Sequence, residues 1–255
     1  MSNRARITTR QNGMMRALLL AAGRSTRIAS VTGGRPKPLL EIDGGTVLER
    51  NLRWLASSGI REIWINLHYR PEEIQRTIGD GGQYGVTVRY SFEPELLGTA
   101  GAVRKLQEVW NDTFFVVYGD NLVRFDLAGL LAAHRHQGAL ATIALFDRSR
   151  HVHTGIAGGR VKLNDDGRIV EFQEGAGDGY STLVNAGVYA LEPQVVSAIP
   201  SEGPSDFGRD VFPRLLQEKQ ELFGHLIDGY CLGLDTPESY QRAMNLIRKK
   251  EVDLA

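Results

Sequence analysis

The sequence predicts an α/β fold: a mostly parallel sheet flanked by helices, continued by a mixed β extension. Two observations carry the parallel part. Apolar runs too short for helices recur along the chain, and between them lie stretches with apolar residues at helical spacing, the alternation from which parallel sheets are built. A third observation carries the extension. After about residue 150 the texture changes to "GGRVKLNDDGRIVEFQEG" and "STLVNAGVYAL", with Asp166-Gly167 between two strand-like runs as a hairpin signal.

In chain order, the apolar run at 17–22 stops at Gly23 and reads as a buried strand. Thr46 then precedes a helical pattern with Leu48, Leu52 and Leu55 on one face, closed by Gly59. Strand signals follow at "REIWINLHY", "VTVRYSF", "TFFVVYG" and "GALATIALF". Helical patterns lie between them at "PEEIQRTIG", "GAVRKLQEVW" and "LAGLLAAHRHQ". Two more, "DVFPRLLQEKQ" and "PESYQRAMNLIRKK", close the chain. Ligands of such a sheet gather at the carboxyl ends of its strands.

Composition narrows the function classes. The 255 residues suffice for a full core, and 30 basic residues balance 30 acidic ones. No global field therefore attracts nucleic acid or an anionic membrane, and a small-molecule partner is expected. The single cysteine, Cys231, forms no internal disulfide and suits a reducing, cytoplasmic location. No apolar run approaches the roughly 20 residues of a spanning helix. The opening "MSNRARITTRQNGMM" is polar and lacks acids, so residues 1–15 are expected to be a disordered leader, with one domain over 16–255.

Leu20-Ala21-Ala22-Gly23 puts small side chains where a strand ends, which lets backbone N–H groups approach an anion. Arg24, Arg27, Arg35 and Lys37 follow, with no acid before Glu41. The loop fits neither G-x-G-x-x-G nor the lysine-bearing Walker pattern. Pro36 and Pro38 flank Lys37 and fix its backbone, which aims one ammonium at one place on what reads as an exposed loop. A negatively charged ligand is expected. The histidines of "HRH" and "HVH" read as solvated rather than as a zinc site.

These residues resemble the sugar-1-phosphate nucleotidylyltransferases, which join a nucleoside triphosphate to a sugar 1-phosphate, and most nearly their mannose- and heptose-1-phosphate guanylyltransferases. The resemblance runs through "LAAGRSTRI", "RPKPLL", "EPELLGTAGA", "VVYGDNL", "IVEFQEG", "LVNAGVYAL" and "LDTPESY". It implies a Rossmann-like nucleotide-binding half over 16–150 and a sugar-binding half over 151–255. It implies that Arg27 grips the triphosphate, that Lys37 bridges the reacting phosphates, and that Leu20, Ala22 and Gly23 hold the nucleoside. Gly98 and Thr99 fall where the family contacts the base, together with Glu93. Asp120 matches a ligand of Mg²⁺, the implied cofactor. The second metal carboxylate is Asp235 if the family's Gly-Thr is deleted, whereas an ungapped reading puts that position on Gly233. Gly155, Glu174 and Asn185 match sugar contacts. Gly175 stands where the family commonly has a phosphate-binding lysine, which leaves open an unusual acceptor, compensation by Lys162 or an arginine, or lost activity. "DFGRDVFPRLL" resembles the guanylyltransferase segment, with Asp210 preceding a helix. A carboxylate accepts only, and guanine offers adjacent N1–H and N2–H donors, so Glu93 points to GTP over UTP or dTTP. A homo-oligomer is compatible with the sequence.

Overall fold

The computed structural model describes residues 15–24, 26–156, 158–177 and 179–254. The expected leader lies outside them except for Met15, which packs partly buried against the core and so belongs to the fold.

The first half runs β1 (Arg16–Leu20), a 3-10 turn at Thr26–Ile28, α1 (Ala29–Thr32), a second 3-10 turn at Lys37–Leu39, β2 (Glu41–Ile42), β3 (Gly45–Thr46), α2 (Val47–Ser57), β4 (Glu62–Leu67), α3 (Pro71–Ile78), β5 (Thr87–Phe92), α4 (Gly98–Lys105), β6 (Phe114–Tyr118), β7 (Asn121–Arg124), α5 (Leu127–Gln137) and β8 (Ala141–Asp147). The second half runs β9 (Arg160–Leu163), β10 (Ile169–Gln173), β11 (Leu183–Leu191), a π-turn at Phe207–Val211 that continues as α6 (Phe212–Gln217), β12 (Leu222–Leu226), β13 (Tyr230–Gly233) and α7 (Pro237–Arg248).

The main sheet has the order β10-β9-β11-β6-β1-β4-β5, with β8 on β11 and β12 on β8. β1 pairs in parallel with β4 and β6, and β4 with β5. Their continuous apolar texture follows from burial on both faces: Ala17, Leu18, Leu19, Val116 and Val117 are all fully buried. Because these four strands run one way, the segments after Leu20, Leu67, Phe92 and Tyr118 converge on one rim. β11 runs antiparallel to β6, β8 and β9, so the second half is the mixed extension. The hairpin turn at Asp166-Gly167 joins antiparallel β9 and β10, with Gly167 at φ +80° and a register shift between Ile169 and Glu171.

β8 departs from expectation, since its neighbours are antiparallel β11 and parallel β12 rather than the β1 group. β7, β12 and β13 escaped the sequence reading because "NLVR", "LFGHL" and "YCLG" are too short to show a period. The helix expected over "GAVRKLQEVW" stops at Lys105, and Trp110 turns back to stack on Phe114 at 4.3 Å. α2 begins with the capping box formed by Thr46 and Glu49. His134 is a correction: it is 1% exposed rather than solvated, held between Thr142 Oγ1 (2.9 Å) and Glu192 Oε1 (3.1 Å). Among the described residues no helix is long and apolar enough to cross a membrane.

Candidate active site

Past Leu20 the chain follows the sheet rim with small side chains. Ala21 N–H donates to Asn66 Oδ1 (2.7 Å), Asn66 Nδ2 donates to Glu93 Oε1 (2.8 Å), and Leu97 N–H donates to Glu93 Oε2 (3.1 Å). These bonds tie the turn after β1 to the segment after β5, and beside them opens a cavity of about 250 Å³. Leu20, Ala22, Gly23, Glu93, Gly98 and Thr99 all line it. Glu93 is only 1% exposed. Each of its oxygens accepts one bond, and a carboxylate offers about four acceptor sites, so capacity remains for a base edge. Gly98 has φ +76°, and a Cβ there would meet Ser205 O at 2.4 Å, so the turn requires glycine.

At the next rim position Lys37 is 3% exposed, not on an exposed loop as expected. Its Nζ donates to Asp120 Oδ2 (2.9 Å) and to Asp235 Oδ1 (2.7 Å). Arg27 Nη2 approaches the same Asp235 oxygen at 3.3 Å from a largely exposed side chain. Burial alone would depress the lysine pKa, but the pull of Asp120 and then of Asp235 outweighs it, and the pKa is raised. Asp120 and Asp235 stand together because β7 and β13 pair antiparallel, with Asn121 opposite Gly233. Asp120 immediately precedes that ladder and Asp235 closely follows it. Gly233 has no room for a carboxylate, since a Cβ would meet Ile156 Cγ1 at 2.4 Å.

A second cavity, of about 260 Å³, opens beyond the aspartates and is lined by Glu174 and Asn185 but not by Gly155, whose neighbour Ile156 lines it instead. Asn185 is oriented by donating Nδ2 to Tyr189 Oη (2.8 Å) and accepting from Gly187 N–H (2.8 Å). Loss of hydration raises the Glu174 pKa, with Arg209 opposing and Asp206 adding to the rise. Gly175 has φ +70°, a conformation strained for lysine, so the absent lysine accompanies a turn that favours glycine. Lys162 is committed elsewhere, 3.1 Å from Glu171 and over the Tyr180 ring at 4.4 Å. Arg209 does line the cavity.

The family model described as nucleotidyl transferase matches residues 16–250. The chain belongs to this family. Over 252 residues it is 33% identical to a UTP–glucose-1-phosphate uridylyltransferase of Synechocystis sp., covering 93% of this chain and 64% of that relative. It is 32% identical over 235 residues to a mannose-1-phosphate guanylyltransferase of Mycobacterium tuberculosis, covering 91% of this chain and 64% of that one. The chain thus spans less than two thirds of the length of these relatives. Among solved structures, a putative glucose-1-phosphate thymidylyltransferase of Bacillus anthracis superposes with a TM-score of 0.80 at 22% identity, covering 92% of this chain and 95% of that one. HddC of Yersinia pseudotuberculosis complexed with GMP-PN superposes with a TM-score of 0.76 at 22% identity, covering 92% and 100%. Both support the fold.

Nucleotidyl transferases normally use a divalent metal, and the donor set here fits Mg²⁺. Asp120 and Asp235 offer hard carboxylate oxygens, and Mg²⁺ commonly takes one or two carboxylates and completes its shell with phosphate and water. Among the described residues no group of three or more His, Cys, Asp or Glu side chains forms a metal site by itself.

The sequence reading missed Tyr118, Asp206 and Arg209. Tyr118 lies in the "VVYGDNL" stretch, and its hydroxyl pKa is pushed up to about 12 by burial. Asp206 and Arg209 lie in the "DFGRDVF" segment, where Asp210 drew attention. Asp210 is exposed and does not line the cavity; its Oδ2 accepts from Asp206 N–H at 2.7 Å. Charge in that segment was the available signal, but the π-turn that selects among its residues leaves no simple period.

Proposed function

We propose that this chain transfers a nucleoside monophosphate from a triphosphate to a sugar 1-phosphate, releasing pyrophosphate. The observation that carries the reading is a shared wall: Thr99, Tyr118, Asp120 and Asp206 line both cavities, with Lys37 bonded to Asp120 at their border. Two substrates held on either side of that wall meet at the lysine.

The acceptor phosphate oxygen attacks the α-phosphorus, and pyrophosphate departs with the electrons of the broken bond. Little covalent chemistry falls to the protein, which aligns two anions and neutralises charge. Leu20, Ala22 and Gly23 hold the nucleoside, and Glu93, Gly98 and Thr99 hold the base. Arg27, which lines the second cavity beside Asp235, meets the triphosphate where the two cavities join, and Lys37 meets the reacting phosphates. Asp120 and Asp235 would hold Mg²⁺, which when bound supplies charge neutralisation to phosphate oxygens. Glu174 and Asn185 take sugar hydroxyls, and Arg209 is the cation on the acceptor side.

GTP is the favoured donor, because the buried Glu93 carboxylate matches guanine N1–H and N2–H, and mannose or heptose 1-phosphate is the favoured acceptor. UTP is the second reading, favoured by the likeness to the uridylyltransferase at 33% identity. A binding-only domain is a third, favoured by Gly175; the Lys37, Asp120 and Asp235 cluster favours turnover. A cytoplasmic location accompanies the proposal. Calorimetric titration with GTP, UTP and dTTP in Mg²⁺ tests the donor side: tightest binding of GTP supports the reading of Glu93, and tighter UTP or dTTP overturns it.

A further inference from the structure

Asp206 stands on the wall between the cavities, and its two oxygens face different ways. Oδ1 accepts from Thr99 N–H (3.0 Å) and from the Thr99 hydroxyl (3.2 Å). Oδ2 faces Arg209 Nη1 at 3.8 Å. The backbone on either side fastens the same turn. Ser205 N–H donates to Leu97 O (2.8 Å), Ser205 O accepts from Ala100 N–H (2.9 Å), and Phe207 N–H donates to Thr99 Oγ1 (3.0 Å). Leu97, at the N-terminus of α4, supplies no side-chain cap of its own. Asp206 supplies one from 107 positions away, and a carboxylate there meets both an orphan N–H and the positive end of the helix.

We propose that Asp206 is a positioning residue that serves both substrate sites through different oxygens. Oδ1 fixes the Gly98-Thr99 turn on the base side, and Oδ2 biases the largely exposed Arg209 toward the acceptor side through an ion pair at 3.8 Å. The inference rests on the functional reading above, which makes one cavity the base site and the other the acceptor site. Its consequence is that the two services separate. An asparagine retains an acceptor oxygen for Thr99 but loses the charge that faces Arg209. An alanine loses both. The residual contribution of Asp206 to the raised Glu174 pKa is consistent with a carboxylate turned toward the acceptor side.

The test compares D206N and D206A with the unaltered chain, checking each fold by thermal melting. Binding of GTP and UTP, and of mannose and glucose 1-phosphate, is measured by calorimetry in Mg²⁺, and KM by pyrophosphate release. In D206N, triphosphate Kd and KM are expected to stay unchanged while acceptor KM rises about three- to fivefold, the upper range for the loss of an exposed ion pair. In D206A both rise by about that factor. Equal losses on both substrates in D206N, or none, overturn the inference and leave the functional reading standing. D206N decides the question alone if D206A does not fold. An unaltered chain that binds neither kind of probe overturns the functional reading, and the inference with it.

Discussion

The two cavities are nearly equal in volume, about 250 and 260 Å³, and are built by opposite means. The base-side cavity is framed by the carboxyl ends of parallel strands, and its shape is held by neutral donors meeting Asn66 and one buried carboxylate, Glu93. The cavity proposed for the acceptor lies on antiparallel β11, the glycines at 158 and 159, the turn after β10 and the π-turn; Asp120 and Asp206 are shared with the first cavity, and Asp235, Glu174, Arg27 and Arg209 are its own charged groups. Buried hydrogen bonds are little affected by salt, but those of the first cavity all run through the Asn66 and Glu93 side chains. A site held by partly hydrated charges gives way one charge at a time.

The largest effect is expected where the cavities meet. Lys37→Ala leaves the Asp120 and Asp235 carboxylates together without their ammonium, and kcat should fall about 10³-fold, the scale of one lost transition-state donor. Stability should also fall, by less than the ~3 kcal/mol of a fully buried pair, because both carboxylates reach solvent. Steady-state rates together with thermal melting check this, and unchanged turnover removes Lys37 from the reaction.

The contrast sharpens with one substitution on each side. Arg209→Ala should raise acceptor KM about tenfold and leave triphosphate KM unchanged, as loss of a charge-assisted contact does. Equal shifts in both constants would refute the division into two sites. Glu93→Gln should lower the preference for GTP over UTP about tenfold, since an amide presents one acceptor and one donor group where the carboxylate presents two acceptors. Competition between the two triphosphates reads it.

The base side was far more legible in the sequence than the acceptor side. Most of its lining comes from two stretches, 20–23 and 93–99; the first shows as a small-residue run and the second was reached by resemblance, while Asn66, Tyr118 and Asp206 come from elsewhere and were passed over. The acceptor side takes single residues from distant segments, so Glu174 and Asn185 were reached by resemblance while Asp206 and Arg209 were passed over for Asp210. Gly155 marked the right loop, but Ile156 is the residue that reaches the cavity. Lys37 was recognised by its flanking prolines, but its two carboxylate partners come together through β13, a strand of four residues that shows no alternation. His134 looked solvated because the helix pattern around it is weakly amphipathic, whereas β8 and Glu192 close over it.

The smallest effect lies at the opposite end of the sheet. Burial lowers the His134 pKa, and Glu192 only partly offsets it. Glu192 can only accept, so Nε2 carries the proton and Thr142 donates to Nδ1. A lowered folded-state pKa means that the unfolded chain takes up the proton first. The contribution is therefore complete above the ordinary histidine value of about 6.5 and is lost as pH falls below it. His134→Gln should flatten the fall in melting temperature between about pH 7 and 5 by a few degrees at most, without changing either KM. An unchanged slope would mean that His134 does not titrate across that range.

The most direct test is pyrophosphate release by the purified protein in Mg²⁺, with GTP, UTP, dTTP, ATP and CTP each crossed with mannose, glucose and heptose 1-phosphates. Release that requires both a triphosphate and a sugar 1-phosphate, and is fastest with GTP, is the expected result. Release without an acceptor, or none from any pair while nucleotide still binds, would contradict a transferase whose two substrates meet at Lys37.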